Sequence, residues 1–186
     1  MSDESKWLKG QLLLDGGDLQ GSYFHRSVVL ICHHDADGAF GLVLSRGSGK
    51  QVGETIVAKL PDALKAQSLF LGGPVQPGAL SYLHADAFLP DANVMPNLSV
   101  GHSLDTLMEV GDSFSPSRQV RVFAGYAGWS PGQLEDEMKR EAWVTHPASL
   151  ELIFDDQPES LWKRILREKG WRYRLLADGP EDITLN

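Results

Sequence analysis

The apolar positions of the chain follow two rhythms. Short β-branched and alternating runs fill the first two thirds, and stripes spaced three and four apart mark the last third. Residues 8–14 form the first expected strand, closed by the turn cluster Asp15-Gly16-Gly17-Asp18. Ser27-Val28-Val29-Leu30-Ile31-Cys32 is a continuous apolar run that suits a strand buried on both faces. Residues 33–38 turn the chain, and residues 39–44 return as a second apolar strand. This is a hairpin with Asp37-Gly38 as its turn signal. A short helix is expected over 53–60, stopped by Pro61. Leu69-Phe70-Leu71 runs into a Gly72-Gly73-Pro74-Val75 bend. Residues 79–85 then form a strand with Tyr82 and His84 on one face and Ser81 and Leu83 on the other. Residues 86–97 show no period. A short strand over 98–100, a helix over 104–110 capped by Ser103, a loop over 111–117 and a strand over 118–124 follow.

Residues 120–143 organise the rest of the chain: a buried strand, a glycine-rich turn and an amphipathic helix ending on Trp143. Gly128-Trp129-Ser130-Pro131-Gly132 is a formal match to the Gly-x-Ser-x-Gly nucleophile elbow. The elbow needs the backbone N–H of the residue after the serine, and here that residue is proline, which has none. Only His146 follows Ser130 as a partner base. Ser130 instead reads as a helix N-cap, with Pro131 as the first helical residue. Gln133 completes a capping box, and Trp129 with Leu134 a hydrophobic staple. Another reading stays open. Gly125, Gly128 and Gly132 let backbone approach a ligand, and a helix N-terminus favours anions, although no Walker-type lysine follows.

Beyond Trp143, residues 144–146 read as extended, and residues 150–154 are ambiguous between strand and helix. The last helix runs to about residue 169 with Leu161, Trp162, Ile165 and Leu166 as its stripe, and Gly170 ends it. Residues 1–5 are expected to be mobile, and the acidic tail from Asp178 loosely held. Strands joined by short turns, without a regular βαβ rhythm, indicate α+β with a mixed, mainly antiparallel sheet. The 186 residues suffice for one domain spanning 1–186.

The formal net charge of -8 argues against a generally basic nucleic-acid binder. One cysteine, Cys32, excludes an internal disulfide framework. No signal peptide and no apolar run near ~20 residues are seen, so a cytoplasmic protein without a membrane partner is expected.

Three blocks carry a family likeness. Ser27-Val28-Val29-Leu30 with His34 and 37–44, then Leu71-Gly72-Gly73-Pro74-Val75 with His84, then Gly125-Tyr126-Ala127-Gly128-Trp129-Ser130-Pro131-Gly132-Gln133-Leu134-Glu135 with Glu137 and Trp143, occur in order. Over nearly its whole length the chain resembles the YqgE/AlgH family, a bacterial group often labelled as transcriptional regulators. The resemblance implies an α+β fold with a bent sheet and a small closed barrel surrounded by helices. It implies no catalytic residue. The chain departs from the family pattern at Asp15-Gly16, at His33 and at Ser45-Arg46-Gly47, and it lacks the common Gly-His-Ala ending.

The candidate chemistry is sparse. Cys32, His33, His34, Asp35 and Asp37, with His84 and Asp86, crowd together without metal-ligand spacing, so no metal and no cofactor is expected. Glu135, Asp136, Glu137 and Glu141 read as a solvated helix face. Lys163, Arg164 and Arg167 lead a basic stretch interleaved with Trp162, Trp171 and Tyr173. They are the nucleic-acid candidates, but the cations also suit the outer face of the last helix. The leading expectation is a non-enzymatic regulatory or interaction protein. The alternative is a small-ligand or anion-binding protein, enzymes included, using Gly72, Gly73, Gly128, Gly132 and Gln133. The partner is unknown. A protein partner is open, and direct nucleic-acid binding is open but not favoured.

Overall fold

The computed structural model describes residues 6–180. The expected mobility of residues 1–5, and of the tail beyond 180, lies outside the described residues; the start of that tail is held rather than loose, with Asp178 closing a helix and bonded to Arg167 and the Gly179 and Pro180 carbonyls accepting from Arg26. Among the described residues nine strands are formed: β1 (Gln11–Asp15), β2 (Val28–Asp35), β3 (Gly38–Val43), β4 (Gly47–Gln51), β5 (Ser68–Leu71), β6 (Val75–Ala85), β7 (Leu98–Gly101), β8 (Gln119–Trp129) and β9 (Trp143–Pro147). Seven α-helices accompany them: α1 (Val52–Thr55), α2 (Asp62–Lys65), α3 (Leu104–Asp112), α4 (Gln133–Lys139), α5 (Leu150–Ile153), α6 (Leu161–Glu168) and α7 (Trp171–Asp178).

The strand order is β4-β5-β8-β3-β2-β1-β9, with β6 branching from β8 and β7 from β6. Every pairing is antiparallel except β5 with β8. The fold is therefore α+β with a mixed, mainly antiparallel sheet. Strand β8 joins its two parts. Its first half pairs with β5 and β6, and residues 127–129 pair with β3. The closed barrel implied by the resemblance is not formed among the described residues. Strand β7 pairs only with β6 and never returns to β4, so the path stays open.

The period-two alternation of β1 and β2 sorts their side chains into two cores. Leu12, Leu14, Val28, Leu30 and Cys32 face a core closed by Ile153, Leu161, Trp162, Ile165 and Leu166. Leu13, Val29 and Ile31 face a second core with Trp129, Leu134 and Trp143. Tyr82, Val122, Leu69, Leu64 and Leu107 make a third under α2 and α3. Ser103 caps α3, its Oγ accepting the Thr106 N–H at 3.4 Å.

Several elements differ from expectation. The helix over 53–60 shrinks to α1, because the β-branched pair Ile56-Val57 leaves the helix, Ile56 being extended, and only Val52 is buried within it. Strand β4 (GSGKQ) has no apolar residue to betray it. The expected glycine-rich turn after residue 124 is instead a continuation of β8 to Trp129. Residues 150–153 are helical, and α7 follows Gly170 as an additional helix.

Candidate functional site

The turn from β8 into α4 is made by Ser130-Pro131-Gly132-Gln133. The Ser130 carbonyl accepts the Gln133 N–H at 3.0 Å, and Gly132 has φ 78° and ψ -11°. Proline followed by a left-handed glycine makes this a type II β-turn. That left-handed residue postpones the helix, so α4 starts at Gln133 with Gly132 as the flanking residue. Ser130 is thus not the N-cap that the sequence suggested. Half of the expected capping box survives, since Gln133 Oε1 accepts the Ser130 N–H at 3.1 Å. Trp129 and Leu134 share one core, as a staple would place them.

Glu137 is the most heavily used polar group of the junction. Its Oε2 accepts the indole N–H of Trp129 at 2.9 Å and of Trp143 at 2.8 Å. Its Oε1 accepts the Gln133 side-chain amide at 3.0 Å. Phe24 stacks on Trp129 and meets Trp143 edge-on. Glu137 is therefore a half-buried clamp between β8 and β9, not part of a solvated face. Its neighbours on α4 are also engaged. Asp136 pairs with Lys139 at 2.9 Å, which holds its carboxyl below the usual range. Glu135 lies 3.5 Å from His34 Nε2.

His34 is buried, and its Nδ1 accepts the Leu8 N–H at 3.1 Å. The other ring nitrogen, Nε2, is buried without a hydrogen-bond partner among the described residues, 3.5 Å from the Glu135 carboxylate. His33 points outward from the same strand and pairs with Asp35 at 2.7 Å. That contact and the Asp37 backbone N–H hold the Asp35 carboxyl below its ordinary value, the backbone bond leading. Burial pushes the Cys32 thiol far up, which makes it a poor nucleophile. Among the described residues no three His, Cys, Asp or Glu side chains converge as a metal site would require.

The ligand-candidate glycines fall into two groups. A Cβ on Gly72 would lie 2.3 Å from the Gly125 carbonyl oxygen, and one on Gly73 2.1 Å from that of Tyr126. The space beside this pair is filled by the backbone of β8. Gly128 and Gln133 are exposed, and a Cβ on Gly132 would meet nothing within 4 Å. The structure does not draw the two groups into one cavity. The basic candidates are paired with acids. Arg164 meets Asp155 at 2.6 Å, Arg167 meets Asp178, and Lys163 lies 3.8 Å from Asp178. Sequence reading missed the Glu137 clamp, although the invitation was there: two tryptophans flanking a helix with a glutamate between them.

This arrangement can be set beside known proteins. An AlgH-like family model matches residues 12–174. The chain belongs to the AlgH-like family. It is 34% identical over 180 residues to the UPF0301 protein CAB604 of Chlamydia abortus, covering 96% of this chain and 95% of that one. It is 38% identical over 192 residues to a UPF0301 protein of Chlorobaculum parvum, across the whole of both chains. The solution structure of the AlgH protein from Pseudomonas aeruginosa superposes with a TM-score of 0.73 at 27% identity, covering 97% of this chain and 98% of that one. A crystal structure from Corynebacterium diphtheriae gives 0.75 at 23% identity over 92% of each chain, a likeness of fold. No helix among the described residues is long and apolar enough to cross a membrane.

Proposed function

We propose that this AlgH-like protein is a non-enzymatic regulatory or interaction protein of the cytoplasm that works through its surface. The observation that carries the reading is the internal satisfaction of the junction. Glu137 is occupied by Trp129, Trp143 and Gln133. The residue after Ser130 offers no N–H, and the Gly72-Gly73 bend is closed by backbone. A nucleophile, a base and oxyanion donors must converge on one point for acyl transfer. Here the polar groups are turned on one another. The pairing of Lys163, Arg164 and Arg167 with carboxylates supports a protein partner over nucleic acid.

The test is fluorescence anisotropy of labelled duplex DNA and single-stranded RNA, titrated with the protein at low and physiological salt. No binding at either salt is the expected result. Binding that weakens steeply with salt would make the regulation direct and overturn the reading.

A further inference from the structure

Among the described residues strand β9 ends the sheet and pairs on one side only, with β1. Unlike β4, whose register with β5 shifts, β9 is regular over five residues. The direction of its backbone follows from the register. Gly16 donates to the Ala142 carbonyl at 2.9 Å, so the hydrogen-bonded pairs continue at Leu14 with Val144 and Leu12 with His146. The peptide groups of Trp143 and Thr145 therefore face away from β1. Pro147 adds a carbonyl on that side and no N–H. None of these outward groups is paired to backbone among the described residues.

A cleft of about 490 Å³ runs along this edge and takes walls from both faces of the sheet. On one face are Met138 and Trp143. On the other are Lys169, Arg172 and Tyr173. Lys169 and Arg172 enter no ion pair among the described residues, in contrast to the cations of α6. One carboxylate, Glu141, also lines the cleft, which leaves two cations against one acid in a protein of net charge -8.

We propose that β9 is a docking edge for an extended acidic segment of a partner protein, which adds to the sheet as a further strand. The added backbone bonds to the peptide groups of Trp143 and Thr145. Side chains of a strand alternate between faces. Every second residue of the partner therefore meets Lys169 and Arg172 and is acidic, and the residues between them meet Met138 and Trp143 and are apolar. Bonds along the backbone supply affinity, and the alternating walls supply selectivity. The inference deepens the interaction reading and rests on it.

The probe is a fluorescein-labelled peptide of alternating glutamate and valine, followed by anisotropy at low salt. Its lysine-valine counterpart and a version N-methylated at alternate backbone nitrogens are the controls. The acidic peptide is expected to bind at least tenfold more tightly than either. Thr145→Pro removes an outward N–H that no internal bond uses, a position where an edge strand tolerates proline. It is expected to keep the wild-type melting temperature and lose the peptide. Lys169→Glu with Arg172→Glu is expected to reverse the preference toward the lysine peptide. Equal binding of the N-methylated peptide would overturn strand addition, whether or not Thr145→Pro folds. Equal binding of the lysine peptide would overturn the acidic partner. Self-association of the chain that Thr145→Pro abolishes would assign the edge to a second copy and overturn the peptide. No binding of the acidic peptide would overturn this site alone. The interaction reading fails separately, through the nucleic-acid titration.

Discussion

Removing the Glu137 carboxylate should loosen the join between β8 and the edge strand β9. The carboxylate accepts three hydrogen bonds: two from indoles at 2.9 and 2.8 Å and one from Gln133 at 3.0 Å. A hydrogen bond to a charged group contributes about 1.5–3 kcal/mol, and an orphaned buried donor costs about 1–3 kcal/mol. Trp129 and Trp143 are 7% and 4% exposed, so water does not easily replace the lost acceptor. Glu137 itself is half-buried, which argues for the lower end of each range. Glu137→Ala should therefore destabilise the protein by about 3–4 kcal/mol. Glu137→Gln keeps an oxygen for the indoles and loses the charge, for a cost of about 1–2 kcal/mol. Urea unfolding followed by far-ultraviolet circular dichroism and by tryptophan fluorescence gives both values. Coincident transitions would license the two-state treatment. If both variants fall within about 0.5 kcal/mol of wild type, the clamp is not an anchor and the contacts contribute little.

Three further outcomes can be checked. Gly73→Ala would place a methyl 2.1 Å from the Tyr126 carbonyl oxygen at a backbone φ of 156°. It should cost about 3 kcal/mol or more in the same urea titration. Ser130→Ala should change stability by less than about 0.5 kcal/mol, since the carbonyl, not the hydroxyl, closes the turn; an N-cap role would cost about 1 kcal/mol. The third concerns acid. Burial lowers the His84 pKa, against Asp86, and burial with Lys169 lowers that of His146, against Glu168. The unfolded chain then binds more protons than the folded one, so this stability is complete above the unfolded value of 6.5 and is lost as pH falls below it. Calorimetry from pH 7.5 to 5 should show a falling melting temperature, less so in His146→Gln. A flat or rising trend would contradict the burial of both rings.

Much of the fold was legible because burial writes itself into local pattern. The run from Ser27 to Cys32 and the stripe of Leu161, Trp162, Ile165 and Leu166 lie where the structure puts them, and the hairpin is there too, although its two-residue loop is Ala36-Asp37 and Gly38 already belongs to β3. Elements held by neighbours rather than by their own residues were not legible. Strand β4 exists because β5 offers it a partner, and Gly47-Ser48-Gly49 carries no apolar signal. The glycines of β8 looked like a turn, yet they lie within one strand that serves both parts of the sheet, with Gly125 left-handed where the Gly73 backbone crosses it. The site was less legible than the fold. Capping logic placed Ser130 at a helix start and could not see that Pro131-Gly132 favours a type II turn first. The role of Glu137 depends on Trp143 returning beside β1, a long-range event with no local trace.

The reading of the junction as a structural joint can be tested on two protons. In ¹H–¹⁵N spectra the indole N–H groups of Trp129 and Trp143 give separate signals whose exchange with deuterium can be timed. Both donate to one carboxylate oxygen inside a packed aromatic cluster. Both are expected to exchange slowly in the wild type and markedly faster in Glu137→Gln. Exchange of both at the rate of a solvent-exposed indole in the wild type would show that the carboxylate is free to act elsewhere. The junction would then have to be treated as a site for chemistry.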